Sequence, residues 1–182
     1  MMKRHREDVH VNRQVTVECI PDGSPRELKP GTLAQLTQAL GSSFTLLVRG
    51  QLVRLKGTDA DAIGKTPPAT LVLPDKVEVH QLNDLIWQTL RTCYDPEIPV
   101  NIVELGLVYR AEFEAMDDGQ MHVSIDLSLT APGCGMGEAI ADEICDKVLA
   151  LPLVGEITVN LVFDPPWDRS RMSEAAQLTL GL

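Results

Sequence analysis

The segment TAPGCGMG, residues 130–137, places one cysteine among three glycines, between a predicted strand and a predicted helix. Backbone N–H groups at a helix start favour negative charge, so a thiolate at Cys134 would be stabilised and its pKa lowered. Gly133, Gly135 and Gly137 carry no Cβ, which leaves the sulfur open and lets the backbone approach a ligand. An incidental thiol in a glycine-rich turn is the alternative, and we favour a functional Cys134.

The other three cysteines are interpreted first as structural. Cys93 lies on the apolar face of a predicted helix, Cys145 on the flank of another helix, and Cys19 at the end of a strand. Cys93 keeps a secondary functional interpretation because Asp95 is close to it in sequence. The chain has no Cys-x-x-Cys motif, and a helix would hold Cys134 and Cys145 roughly 16 Å apart. We therefore expect no self-contained zinc or four-thiolate site, and Cys134 is the candidate metal ligand.

A second segment whose residue types could take part in chemistry is DPEIPVNIVELGLVY, residues 95–109. Pro96 and Pro99 restrict the backbone, so Asp95 and Glu97 are expected on a rigid loop. Carboxylates on such a loop can bind metal or can be plain surface charge. Their spacing alone does not determine whether they reach the cysteine.

Two further carboxylates are candidates for a supporting role. Glu104 stands just before a predicted strand, and Asp126 shares a polar strand face with Thr130, which leads to Cys134. A cysteine hydrolase would need a nearby base, usually histidine. His122 lies on the same strand face, but about 3.3 Å per residue places it roughly 26 Å from Thr130. A carboxylate could still act as the base, but an enzyme is not the expected class.

The elements that must position these residues follow the order α-β-β-α-β from residue 76 onward. This order predicts a two-layer α/β (α+β) domain, in which helices cover one face of a three-stranded sheet. Asp95-Pro96 is expected to end the first helix. The last strand is expected to point Ile157, Val159, Leu161 and Phe163 inward. The predicted elements are helix 80–94, strands 107–115 and 121–130, helix 136–151, strand 156–163 and a short helix at 171–180.

Residues 1–75 are predicted to form a small, mainly β unit, which a proline-flanked linker at 67–75 joins to a domain at 76–182. Alternating valines predict one strand at 9–18, and residues 44–55 predict a hairpin around Arg49-Gly50. Residues 32–40 are compatible with a short helix or a strand.

Composition limits the class of protein. The chain has 182 residues, 44% of them hydrophobic, and a formal net charge of −10. A strongly acidic chain is a poor match for nucleic acid or an anionic membrane surface. No apolar run approaches the roughly 20 residues of a membrane helix. The basic start has no apolar stretch behind it, as a secretory signal would, so we expect a cytoplasmic protein with free thiols.

The two motifs together resemble a known family. DPEIPVNIVELGLVY, a hairpin, and then LTAPGCGMG before a helix are similar to the domain shared by bacterial SufT, the cytosolic iron–sulfur targeting factors and PaaD. The similarity covers about residues 76–163. VRGQLVRLKGTDADAIG before the domain and DPPWDRSRMSEAAQLTLGL after it look like extensions of the SufT branch, so the chain is identified as a member of the SufT family.

The resemblance implies an auxiliary role in maturing iron–sulfur proteins, with iron–sulfur assembly proteins and apo-client proteins as partners. It implies that Cys134 is the motif cysteine and that Thr130, Asp95 and Glu97 are its companions. Glu104 stands where related sequences often have Asp. One thiolate cannot complete a [2Fe–2S] shell, so a transient cluster or iron would need a second subunit, a small thiol or a partner. A cofactor-free adaptor is the alternative, and homo-oligomerisation and the client proteins are left open.

Overall fold

The computed structural model describes residues 6–69, 71–74, 76–131 and 135–182. The chain divides into two compact units. The N-terminal unit comprises Met1–Thr70 together with Pro96–Pro99, and the C-terminal unit comprises Leu71–Asp95 and Val100–Leu182. In the described part of the chain, no helix has the length and apolar character needed to cross a membrane.

The N-terminal unit is a six-stranded antiparallel sheet in the order β1-β4-β5-β6-β2-β3. Aliphatic side chains from alternate strand positions form its core, which includes Val17, Leu46, Val53 and Leu55. A 3-10 helix at Gly57–Ile63 follows the last strand. The strands are β1 Glu7–His10, β2 Val15–Cys19, β3 Pro25–Leu28, β4 Leu33–Leu40, β5 Ser43–Val48 and β6 Gln51–Lys56.

Two details of this unit differ from, or complete, the sequence-based expectation. The prediction of one strand at 9–18 is wrong, because the chain forms β1 and β2 there. The Val11 N–H donates to the Thr32 carbonyl and the Val11 carbonyl accepts from the Gly31 N–H, so the chain leaves the β1 direction at this point. Residues 33–40 are a strand, which decides between the two alternatives.

The hairpin of β5 and β6 is confirmed. Arg49 and Gly50 both have positive φ, 51° and 82°. Two consecutive residues of this kind match the right-handed twist of the flanking strands in a tight hairpin.

The C-terminal unit has the predicted order α-β-β-α-β, followed by a short helix. Its sheet has the order β7-β8-β9, with β7 and β8 antiparallel and β8 and β9 parallel. Helix α2 is the crossover that a parallel pair requires. The elements are α1 Val79–Leu90, β7 Val108–Ala115, β8 Met121–Leu127, α2 Met136–Leu149, β9 Val154–Leu161, a 3-10 turn at Arg169–Arg171 and α3 Glu174–Leu180.

Hydrophobic packing holds the helices on one face of this sheet. Strand β8 alternates strictly between buried and half-buried residues. Removing these apolar side chains from water is the main favourable term in folding. The fully or almost fully buried residues here are Val123, Ile125 and Leu127 of β8, Leu82 and Ile86 of α1, and Ile140 and Ile144 of α2.

Two boundary predictions for this unit are wrong. The strand predicted at 121–130 ends at Leu127. Helix α1 ends at Leu90 rather than at Asp95, because the Cys93 carbonyl accepts from the Ile102 N–H and Tyr94 pairs with Asn101. These tertiary contacts override the helical pattern.

The prediction of which side chains of the last strand point inward is only partly correct. Ile157 and Val159 are half-buried, whereas Leu161 and Phe163 are 38% and 45% exposed. Strand β9 lies at the edge of the sheet, so its end is less covered than a central strand would be.

Candidate functional site

The acidic motif occupies a closed loop. The Ile102 N–H donates to the Cys93 carbonyl at 3.0 Å, and the Asp95 N–H donates to the Val100 carbonyl at 3.4 Å. These two hydrogen bonds join the two ends of the loop, and Pro96–Pro99 form its tip. Asp95 is only 8% exposed, whereas Glu97 at the tip is exposed. The loop expected from the two prolines is therefore present, and its rigidity stays a prediction.

A tight turn at residues 101–106 follows the loop. The Asn101 side-chain oxygen accepts from the Val103 and Glu104 N–H groups, at 3.1 and 2.9 Å. The Glu104 carbonyl accepts from the Ser173 N–H at 2.9 Å, and its carboxylate lies 4.0 Å from Arg91 Nε. The backbone carbonyl of Glu104 therefore joins this turn to the segment before α3, whereas a supporting role of Glu104 at the site stays a prediction.

Backbone hydrogen bonds connect the acidic loop with the strand that leads to the cysteine motif. Beyond the Cys93–Ile102 bond, the Leu107 N–H donates to the Ile102 carbonyl at 3.0 Å, and the Ser128 N–H donates to the Leu107 carbonyl at 2.7 Å. Asp95 lies two residues after Cys93, and Thr130 lies two residues after Ser128. The structure therefore ties the segments carrying Asp95 and Thr130 to the same turn.

The cysteine motif bridges the end of this strand and the start of α2. Thr130 is half-buried, and Gly135 is the N-cap residue of α2, with no side chain capping the first turn. A Cβ on Gly137 would lie 2.6 Å from Leu129 Cδ1, so Gly137 allows α2 to pack against Leu129. This packing explains Gly137 without a ligand. Gly133 and Cys134 lie outside the described residues.

The described cysteines behave as structural thiols. Cys93 is fully buried, and burial raises the pKa of its thiol to about 12. The nearby Lys147 ammonium opposes this shift only in part. Burial, followed by the charges of Asp142 and Asp146, also raises the pKa of Cys145. Both thiols are therefore protonated at neutral pH, and the packing interpretation of Cys93 is favoured over the functional one.

Asp126 belongs to an ionic network on the polar face of the sheet. Arg110 Nε donates to Asp126 Oδ2 at 2.7 Å, and Asn160 Nδ2 donates to Asp126 Oδ1 at 3.0 Å. The hydrogen bond from Arg110, followed by that from Asn160, lowers the pKa of the Asp126 carboxyl. Asp126 therefore joins β7, β8 and β9, and this role accounts for its position without a metal.

The sequence reasoning missed the contribution of the C-terminal extension to this region. Trp167 Nε1 donates to the Leu105 carbonyl at 2.8 Å, and the Arg171 guanidinium lies 4.1 Å from the centre of the Tyr109 ring. Gly106 has φ of 70°, and a Cβ there would clash with the Arg171 backbone. The tryptophan after two prolines in DPPW was the available signal, since an indole N–H that is partly withdrawn from water usually finds an acceptor.

Ser128 is a second residue that the sequence reasoning did not single out. Its side chain is fully buried, and its hydroxyl oxygen has no hydrogen-bond partner in the part of the chain that the structure describes. Among residues 6–69, 71–74, 76–131 and 135–182, no group of three or more His, Cys, Asp or Glu is arranged to hold a metal ion. Convergence of Thr130, Asp95 and Glu97 on Cys134 stays a prediction, since Glu97 belongs to the N-terminal unit and Cys134 is not described.

Sequence comparison places the two motifs in a wider context. Residues 83–159 match a family described as iron-sulfur cluster assembly protein. An Fe-S protein maturation auxiliary factor of Porphyromonas gingivalis is 40% identical over 104 residues, which cover 57% of this chain and 95% of that protein. The matched family region contains both the acidic loop and the cysteine motif.

Two further relatives carry similar names. The Fe-S protein maturation auxiliary factor YitW of Bacillus subtilis is 38% identical over 101 residues, covering 56% of this chain and 95% of the relative. The Fe-S protein maturation auxiliary factor SufT of Staphylococcus aureus is 38% identical over 88 residues, covering 48% of this chain and 96% of the relative. About half of this chain covers nearly all of each relative, so roughly half of this chain lies outside each match.

Proposed function

The chain belongs to the iron–sulfur cluster assembly protein family, and on that premise we propose that it is an auxiliary factor in the maturation of iron–sulfur proteins. The observation that carries the proposal is the similarity to three proteins named as such factors, together with the family match over residues 83–159, which contain both motifs. In this proposal the cargo is iron or an iron–sulfur cluster, and Cys134 is the group that holds it.

The proposed chemistry is transfer rather than storage. The usual complement of a [2Fe–2S] cluster is four thiolates. Cys93 is buried with a thiol pKa of about 12, so it is not available as a thiolate ligand in this fold. Cys134 would then bind the cargo together with ligands from a second copy, a small thiol or a partner protein. Incomplete ligation suits a protein that passes its cargo on.

The residues that we propose as companions of Cys134 have distinct roles. Helix α2 begins at Met136 with no side-chain cap on its first turn, so its N–H groups and dipole favour a nearby thiolate. Asp95 and Glu97 supply carboxylate oxygens, which are acceptable ligands for iron. The Thr130 hydroxyl can donate a hydrogen bond to sulfur. These roles are binding roles, and we propose no catalytic reaction for the chain.

The proposed partners are iron–sulfur assembly proteins, from which the cargo comes, and apo-client proteins, to which it goes. A second candidate function is a cofactor-free adaptor that brings these proteins together. The observation that favours it is the segment Met1–Thr70, which has its own hydrophobic core and lies outside the residues 83–159 that match the family. Both functions place the protein in the cytoplasm with the assembly machinery.

Anaerobic reconstitution distinguishes the two functions. The full chain would be incubated with iron, sulfide and a thiol such as glutathione, and its visible absorption recorded before and after addition of a chelator. We expect a labile cluster spectrum from the wild-type chain, loss of that spectrum in Cys134→Ser, and its retention in the control Cys145→Ser. A wild-type chain that binds neither iron nor cluster, yet co-purifies with assembly proteins, would favour the adaptor.

A further inference from the structure

Four polar side chains of the N-terminal unit form a row across four strands. Gln38 of β4 pairs directly with Thr45 of β5, Thr45 pairs with Arg54 of β6, and Arg54 pairs with Glu18 of β2. Directly opposite residues in antiparallel strands project from the same face of the sheet. We call Gln38, Thr45, Arg54 and Glu18 the polar row.

A β-bulge creates the row. Leu36 pairs with Leu46 on the core side, and the register then shifts so that Gln38 pairs with Thr45. Without the shift, Gln38 would face Phe44 in the core. A bulge redirects side chains in this way, and here it moves Gln38 to the face opposite Leu36.

The two central residues of the row are polar yet shielded from water. Thr45 and Arg54 are only 3% and 7% exposed. Arg54 Nη1 donates to Glu18 Oε2 at 2.9 Å, and Arg54 Nε donates to Ser43 Oγ at 3.3 Å. Buried charge is costly unless it is paired and hydrogen-bonded. The contacts with Glu18 and Ser43 meet this requirement for the Arg54 guanidinium.

The tip of the acidic loop lies on this row. Thr45 Oγ1 donates to the Pro96 carbonyl at 2.9 Å, and Pro96 is itself buried. Pro96–Pro99 belong to the N-terminal unit by their contacts, although they are far from it in sequence. The hydroxyl thus holds the first residue of the tip, next to Glu97.

We propose that the polar row positions the Pro96–Pro99 segment, and that Thr45 is the positioning residue that contacts it directly. The two prolines already restrict the backbone of the segment. A hydrogen bond to the Pro96 carbonyl then fixes where the segment lies, and with it the direction of Glu97. The functional consequence rests on the proposed function, in which Glu97 contributes to the site. The N-terminal unit therefore supports the part of the acidic motif, Pro96–Pro99, that belongs to that unit.

Amide hydrogen exchange on the full chain tests the positioning. Thr45→Val keeps the shape and removes the hydroxyl, whereas Thr45→Ser keeps the hydroxyl. In Thr45→Val we expect exchange at Asp95, Glu97 and Ile98 to accelerate roughly threefold to tenfold, the effect of losing one hydrogen bond. Strand amides of β5 and β6 report whether the fold is intact. Thr16→Val, an exposed threonine on β2, is the matched control.

The outcomes separate this inference from the proposed function. Unchanged exchange in Thr45→Val, or equal acceleration in Thr45→Val and Thr45→Ser, overturns the positioning role. Wild-type exchange in Thr45→Ser supports it. The same variants are then tested for iron–sulfur enzyme activity in a strain lacking the wild-type gene. If Thr45→Val loosens the loop and activity falls, both ideas are supported. If the loop loosens and activity is unchanged, positioning stands and the role of Glu97 in the site fails.

Discussion

At the scale of single residues, the proposed function depends on a contrast between thiols. Burial raises the thiol pKa values of Cys93 and Cys145, so both are poor nucleophiles and poor ligands at neutral pH. Cys134 directly precedes the N-cap residue of α2 in the sequence, and a helix start favours a thiolate. We therefore expect the Cys134 thiol to have a lower pKa than the thiols of Cys93 and Cys145.

We therefore expect Cys134 to titrate below the roughly 8.5 of a free thiol. The measurement is the rate of iodoacetamide labelling against pH, with mass spectrometry assigning each site. The fast-labelling site should disappear in Cys134→Ser and remain in Cys145→Ser. A Cys134 that labels no faster than Cys145 at neutral pH would contradict the prediction.

Asp126 is expected to contribute to stability rather than to cargo binding. Arg110 and Asn160 lower the pKa of its carboxyl in the folded state. The stabilisation is therefore present above the unfolded pKa and is lost as pH falls through the lower folded pKa. Asp126→Asn should cost about 1 kcal/mol in urea unfolding at pH 7, since the pair is partly solvated, and almost nothing near pH 2.

The matched control for this prediction is Glu112→Gln, an exposed carboxylate that pairs with the same arginine at 3.1 Å. An exposed pair contributes less, so the effect of Glu112→Gln should be smaller at pH 7 and equally negligible near pH 2. A cost for Asp126→Asn that is independent of pH would mean that packing, and not charge, explains the effect.

At the scale of elements, the close approach of α2 to the end of β8 shapes the cysteine motif. Gly137→Ala would gain up to about 1 kcal/mol in helix propensity, but the new Cβ would lie 2.6 Å from Leu129 Cδ1. Leu129 is buried, and overpacking of this kind costs about 1–3 kcal/mol. We expect a net loss of unfolding free energy of about 1–2 kcal/mol.

A double-mutant cycle tests the cause of that loss. In the Leu129→Ala background the clash is removed, so Gly137→Ala should be neutral or stabilising. Urea unfolding of the four chains gives the coupling. If the two substitutions add, the steric explanation is wrong.

Most elements of the C-terminal unit could be predicted from the sequence, because each has a local signal. Strand β8 alternates perfectly, and α2 aligns Met136, Ile140, Ile144 and Val148 on one face. The errors arise where contacts between residues far apart in sequence determine where an element begins or ends. The separation of β1 from β2 depends on pairing of Val11 with residues 31 and 32, and α1 stops early because Cys93 pairs with Ile102.

At the scale of the whole molecule, the assignment of Pro96–Pro99 to the N-terminal unit could not be predicted. The hydrogen bond from Thr45 to Pro96 joins residues 51 apart in sequence, and no local pattern encodes it. The residue types of the two motifs led us to propose them as one site, and that shared site stays a prediction. The sequence did not predict the hydrogen-bonded path through Ile102 and Leu107 that connects them.

The size of the chain also bears on its function. The three relatives are almost completely covered by about half of this chain. The family match lies at residues 83–159, so the segment Met1–Thr70 lies outside it. This segment can support the acidic loop, as the positioning inference proposes, or recruit partners, as an adaptor would.

The role of Cys134 is tested most directly in cells that lack the wild-type gene and carry single variants of this chain. The measurement is the activity of iron–sulfur enzymes in these cells. Cys134→Ser should abolish the restoration of activity while barely changing the melting temperature, because a cysteine between glycines adds little packing. Cys145→Ser should lose some stability and keep full function, since it places a polar hydroxyl in a partly buried position. If Cys134→Ser restores activity as well as the wild-type chain does, Cys134 does not carry the function.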